Sequence, residues 1–509
     1  MAIQQPETPY LQIIRRALWL LLALPLLAGC SKDEAEQPVL ESSADEIVLR
    51  NTAGSEATFT VTATGPWTLS TTGGGFDISS AEGTRGETTL TVTATRENPD
   101  TRRRTLGRVS LRLSSGAAET GVEIVQSPAV ARRTVLMYLP WSGPSQPLTE
   151  YFRQNIADME SIVAEGHLQD ERLLVFFMPT AKQAELFEVY HDNGTSLRHE
   201  LKTYDEVPAF TTSEGIASIL EEVKQFAPAE KYAMTIGCHG MAWLPAHPET
   251  YPTATAAPRA GTAAPEKEYW EYAAPGKILT RWFGGSSSSY QTDIPTLARG
   301  ISAAGMKMDY ILFDDCYMSS IEVAFELREV TDHLIGSTSE IMAYGFPYAR
   351  MGHYMFGEVD YAGICNAFYD FYMSYQFPYG TIGVTVCSRL DALAAVMQRI
   401  NEKHTFDTSQ LGDLQQLDGY SPVRFFDLGD YVRHLCTDQG LLSQFEEQLE
   451  LTVPSAYRKH TPEYYSMSYG GTAYPIRTFS GVTTSDPSTS PSTTAKRQTA
   501  WWKATHKAE

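Results

Sequence analysis

Tyr310-Ile311-Leu312-Phe313-Asp314-Asp315-Cys316 is a short apolar run that stops on two carboxylates and a thiol. An uninterrupted apolar run of this length fits a strand buried on both faces. Beyond it, Ser320 to Val330 reads as a helix. Working back along the chain, Tyr232-Ala233-Met234-Thr235-Ile236-Gly237 is a second such run, and it leads straight into Cys238-His239-Gly240. Leu173 to Met178 and Thr134 to Leu139 are two more. Between them, Tyr151 to Ala164 puts Phe152, Ile156, Met159 and Val163 on one stripe. A helix opening at Ser213 does the same with Ile216, Ile219, Val223 and Phe226. Strands that alternate with helices predict an α/β unit whose parallel sheet is flanked by helices on both faces.

In such a sheet, ligands bind beyond the carboxyl ends of the strands. His239 and Cys316 each follow a strand there, 77 positions apart in sequence. Only the fold can join them. A neighbouring imidazole lowers the pKa of a thiol and makes it a nucleophile. Each residue alone has a plainer reading. A cysteine after a strand is ordinarily a small buried hydrophobe, and His-Gly is ordinarily a turn.

The chain of 509 residues has room for two to four domains. Its 42% hydrophobic and 20% charged residues are those of a globular protein. A formal net charge of −21 argues against nucleic acid as a partner and reads as a soluble, self-repelling surface. The six cysteines, Cys30, Cys238, Cys316, Cys365, Cys387 and Cys436, form no CxxC pair and no zinc-ligand spacing with histidine.

Residues 1–29 read as a processing signal: Arg15-Arg16, then an apolar run from Ala17 to Leu27, too short to span a membrane. Leu27-Ala28-Gly29-Cys30 resembles the bacterial lipobox, which implies cleavage before Cys30 and lipidation of its thiol. Residues 30–42 are then a tether. Ser31-Lys32-Asp33-Glu34 resembles the export signal of surface lipoproteins. The location implied is a Gram-negative envelope, at the outer membrane and facing outward.

Residues 43–128 carry short strands, among them Ala57 to Thr62 and Thr88 to Thr93, separated by Gly-rich and Asn-Pro turns. With Gly65-Pro66-Trp67 and the closing Val125-Gln126, the segment resembles the BACON domain, an immunoglobulin-like sandwich. That resemblance implies glycan contact or a spacer role. Trp67 reads as a core aromatic, so a stalk is the reading taken here.

Residues 132–509 resemble the clostripain family of cysteine peptidases, which have a caspase-like fold. The resemblance rests on Lys231-Tyr232 through His239-Gly240 and on Phe313-Asp314-Asp315-Cys316-Tyr317-Met318-Ser319-Ser320-Ile321-Glu322. Gly336-Ser337-Thr338-Ser339-Glu340 and Gly345-Phe346-Pro347-Tyr348 add to it. It implies Cys316 as nucleophile, His239 as base, and Asp314 in the pocket for a basic P1 residue. Glu340 is the nearby second acid for that pocket. The amides of Gly240 and Cys316 are the expected oxyanion donors. Asp315 departs from the family, which usually has a small residue there.

Relatives are often activated by cleavage between their His and Cys segments. The irregular stretch 244–293 holds Arg259, Lys267, Lys277 and Arg281, which suit self-cleavage by a basic-specific enzyme. Some relatives depend on calcium, but no acidic cluster here has EF-hand spacing. The rival reading is an inactive surface lipoprotein that binds glycan or protein.

Overall fold

The computed structural model describes residues 37–100, 102–144, 148–244, 284–285, 290–467, 471–489 and 493–507. The chain divides into two compact units. One is drawn from Met1–Ile47, Glu56–Thr93 and Leu106–Ile124, the other from Val48–Ser55, Ala94–Thr105 and Val125–Glu509.

The N-terminal region is all β. Its strands are β1 (Leu40–Ser42), β2 (Glu46–Leu49), β3 (Glu56–Ala63), β4 (Trp67–Gly73), β5 (Phe76–Ile78), β6 (Glu82–Gly83), β7 (Gly86–Ala94), β8 (Arg104–Leu113) and β9 (Glu119–Gln126). They form one sheet of order β1-β3-β7-β5 and another of order β2-β9-β8-β4-β6. Period-two alternation decides the buried side. Phe59, Val61 and Ala63 of β3, Leu90 and Val92 of β7, and Val109, Leu111 and Leu113 of β8 are all buried. Trp67 is buried too, and a Cβ on Gly83 would stand 2.2 Å from its ring. The four strands not anticipated from sequence, β1, β4, β5 and β6, are short or lack apolar alternation; Ser70-Thr71-Thr72 in β4 is an example.

The second unit is built on β10 (Ala131–Leu139), β11 (Arg172–Thr180), β12 (Gln183–Asp192), β13 (Thr195–Thr203), β14 (Ala229–Gly237), β15 (Met308–Asp314), β16 (Thr331–Gly336), β17 (Thr381–Val386), β18 (Phe426–Asp427), β19 (Arg458–His460), β20 (Glu463–Ser466), β21 (Thr472–Pro475) and β22 (Thr483–Thr484). Nine of these make one sheet of order β13-β12-β11-β10-β14-β15-β16-β17-β19. The sheet is mixed rather than wholly parallel. β11-β10-β14-β15-β16 is parallel, and the strands outside it pair antiparallel. One edge is antiparallel because Asn193-Gly194, both with positive φ, make a tight hairpin turn between β12 and β13.

Helices flank this sheet, chiefly α1 (Thr149–Ala164), α2 (Ser213–Phe226), α3 (Ile294–Ala303) and α4 (Ile321–Leu327). The apolar stripes are the buried ones: Phe152, Ile156, Met159 and Val163 on α1, and Ile216, Ile219, Leu220 and Val223 on α2. Thr212 caps α2 by accepting the Gly215 N–H. β10 has β11 on one side and β14 on the other, so strand order reverses there, and open α/β sheets bind ligands beyond the carboxyl ends of strands at such a point. Among the described residues no helix is long and apolar enough to cross a membrane. Residues 1–36, on which the expected leader and Cys30 fall, lie outside the described residues.

Candidate active site

β14 and β15 run parallel with Gly237 opposite Asp314. The segments that follow them therefore leave the sheet side by side. Two contacts lock these segments together. The Cys238 N–H donates to Asp315 Oδ1. Gly240 lies so close to the next segment that a Cβ would stand 2.3 Å from the Cys316 carbonyl oxygen and 2.9 Å from its nitrogen. Any side chain at residue 240 would push the two backbones apart. His239 and Cys316, far apart in sequence, are thus carried on adjoining backbones, and both are buried.

The turn that carries the thiol is strained. Tyr317, the next residue, has φ +63°, a region that a bulky side chain rarely enters. Its surroundings hold it there. The Tyr317 N–H donates to Ser339 O at 3.0 Å, and the Ser319 N–H donates to Ser337 O at 2.8 Å. Its ring stacks on Phe425, with centroids 4.8 Å apart, and its hydroxyl donates to Glu340 Oε1 at 2.7 Å. The Ile341 N–H donates to Cys316 Sγ at 3.4 Å.

Three buried carboxylates surround this turn. Asp314 Oδ1 accepts the Phe346 N–H at 2.9 Å. Asp315 bridges to the His239 loop as described. Glu340 Oε1 accepts the Tyr317 and Ser466 hydroxyls, each at 2.7 Å, and the Met467 N–H reaches both of its oxygens at 3.0 Å. On the histidine side, Gly284 O accepts the His239 N–H at 3.3 Å and the Cys238 thiol at 3.0 Å.

A further brace comes from late in the chain. Glu322 Oε1 accepts the Thr484 hydroxyl at 2.9 Å and the Ser485 N–H at 2.8 Å. Ser319 donates its hydroxyl to Gly481 O and accepts the Thr483 N–H at its carbonyl. The helix after the thiol, α4, is thereby tied to β22.

Burial pushes Cys365 and Cys387 up to about 12, which leaves them protonated and inert. None of the five described cysteines is in a disulfide. Among the described residues no cluster of His, Cys, Asp or Glu could hold a metal ion. Arg259, Lys267, Lys277 and Arg281 lie outside the described residues.

The sequence reading missed three features: the Tyr317 turn, the Ile341 N–H on sulfur, and the bridge from Asp315 to Cys238. Asp315 stood out as a departure from the family. Neither the left-handed tyrosine nor the amide on sulfur leaves a signal in residue type.

The model of the clostripain family matches residues 270–444. A secreted C11 cysteine protease from Bacteroides thetaiotaomicron is 52% identical over 74% of this chain and 100% of that one, with a TM-score of 0.65. An inactive zymogen C11 protease from Parabacteroides distasonis is 26% identical over 75% of this chain and 99% of that one, with a TM-score of 0.59. A second secreted C11 protease from B. thetaiotaomicron, solved with an irreversible peptide inhibitor, shares the fold at 21% identity and a TM-score of 0.60, over 74% of this chain and 99% of that one. No curated protein matches the chain. At 52% identity over the full length of a C11 protease, on the same fold, the chain belongs to the clostripain (C11) family of cysteine peptidases.

Proposed function

We propose that the chain is an endopeptidase that hydrolyses peptide bonds after arginine or lysine, with Cys316 as nucleophile and His239 as base. His239 takes the thiol proton, and the thiolate attacks the scissile carbonyl. The imidazolium then protonates the leaving amine, and water activated by the same imidazole releases the acyl group. The amides of Gly240 and Cys316 receive the oxyanion. Asp314 receives the P1 side chain, pairing in a bidentate manner with arginine or as a point charge with lysine. The observation that carries this reading is the close approach of Gly240 to the Cys316 backbone, which joins the base-bearing and thiol-bearing segments.

The same reading puts self-cleavage in the 244–293 stretch, at one or more of Arg259, Lys267, Lys277 and Arg281. Support comes from Gly284, late in that stretch, whose carbonyl holds the Cys238–His239 segment, and from the burial of the thiol and the imidazole. A cut upstream of Gly284 relaxes that hold and admits substrate. The reading also includes a lipid on Cys30, display at the outer membrane, and a BACON-like spacer over residues 43–128. The burial of Trp67 favours a spacer over a glycan site centred on that ring.

The test uses the chain from residue 42 onward, with fluorogenic peptides carrying Arg, Lys, Ala or Asp at P1, with and without calcium, and Cys316→Ala as control. Turnover confined to basic P1 and lost in the variant is expected. Absence of turnover even after tryptic nicking within 244–293 would turn the assignment toward a binding protein on a retired catalytic fold.

A further inference from the structure

We infer that Glu340 is a positioning residue that fixes the Cys316 turn, and not a wall of the P1 pocket. The kinetic part of this inference rests on the peptidase reading above; its structural part does not.

Donors from two distant segments converge on the buried Glu340 carboxylate: the Tyr317 hydroxyl, the Ser466 hydroxyl and the Met467 N–H. Tyr317 is the left-handed residue directly after the thiol. Burial, and after it the charge of Glu340, keeps the tyrosine protonated, so the phenol is the donor. Along its own backbone, Glu340 leads into Ile341, whose N–H rests on Cys316 Sγ. Glu340 therefore holds the nucleophile from two sides, through Tyr317 and through Ile341. Ser466 and Met467, at the end of β20, anchor the arrangement to a separate hairpin. A substrate cation at this carboxylate would have to compete with the Tyr317, Ser466 and Met467 donors already on it. The other ionisable groups near this turn include Asp315, which lies beside Gly240 and accepts the Cys238 N–H, and Tyr420 and Asp418, which act on Tyr317.

Three variants test this: Tyr317→Phe, Glu340→Gln and Glu340→Ala, each assayed on Arg and Lys P1 peptides. Losing the clamp lets the reacting atoms drift. Glu340→Ala should lower kcat about 100-fold and Tyr317→Phe about tenfold. Glu340→Gln keeps one acceptor oxygen and should recover part of the loss. KM and the Arg-to-Lys ratio should stay within about twofold of the parent. A changed Arg-to-Lys ratio, or a tenfold rise in KM with kcat kept, would place Glu340 in the pocket and overturn the inference. Hydrogen exchange across residues 316–341 supplies a readout that needs no substrate. The Tyr317 and Ile341 amides should exchange faster in all three variants, and unchanged protection would also overturn the inference. If the parent cleaves no peptide, the peptidase reading fails and exchange alone decides the role of Glu340. Tyr317→Phe removes a single hydroxyl, so the test survives a Glu340→Ala chain that does not fold.

Discussion

The two ends of the central strands treat buried charge in opposite ways. At the amino ends of β10 and β15, opposite charges meet. Arg133 reaches Glu171 at 3.2 Å and Asp309 at 2.9 Å, and donates to the carbonyls of Met355 and Gly357. Lys231 adds a longer contact to Asp309 at 3.6 Å. At the carboxyl ends, Asp314, Asp315 and Glu340 are held by amides and hydroxyls. Neutral donors orient a carboxylate without cancelling its charge. One end thus pairs its charges with one another, and the other holds its carboxylates with neutral donors around a thiol, which under the proposed reading is where a cationic P1 side chain meets Asp314.

That contrast yields predictions that separate the two ends. The largest effect is expected from Asp314→Asn, which should lower kcat/KM for a P1-Arg peptide about 1,000-fold while leaving the unfolding midpoint nearly unchanged. Retained selectivity for basic P1 would remove Asp314 from the pocket. Next, Arg133→Met leaves Glu171 and Asp309 only the longer contacts of Arg132 at 3.8 Å and Lys231 at 3.6 Å and should cost about 3 kcal/mol of unfolding free energy, read by urea titration, with kcat per folded molecule preserved. A fall in kcat without a fall in stability would mean that the two ends are coupled. Gly240→Ala sets a methyl against the Cys316 carbonyl and should reduce kcat about 30-fold. Parent-like kcat would show that this close approach does not set the site.

The smallest effect is a pH term at the amino end. His333 accepts or donates at Nδ1 to the Tyr361 hydroxyl, 2.9 Å away, and burial pushes its pKa below the usual value. The folded chain therefore binds fewer protons than the unfolded one near pH 6.5. Its stabilising contribution is present above the unfolded pKa and declines as pH falls through it. His333→Gln should flatten that part of the stability profile, and an unaltered slope would assign it to another group.

The alternating α/β pattern was legible because each central strand is a continuous apolar run and each early helix has a clean stripe. The positions of His239 and Cys316 were legible for the same reason, since both follow such runs directly. The antiparallel edge was missed although Asn193-Gly194 is a hairpin signal, because β13 is polar and mostly exposed and so gave no strand pattern. The surroundings of the thiol were hidden for a different reason. Tyr317, Ile341 and Asp315 act through backbone geometry and through partners far along the chain, and residue type alone carries neither.

The brace from Ser319 and Glu322 to residues 481–485 has a consequence for synthesis. A ribosome makes the thiol-bearing turn more than 160 residues before it makes the segment that secures it. Until Thr484 and Ser485 emerge, Glu322 lacks two of its donors and the helix after Cys316 has no late strand to lean on. The nascent chain thus carries Cys316 through about a third of its synthesis, from residue 316 to residue 485, without the support that seats it.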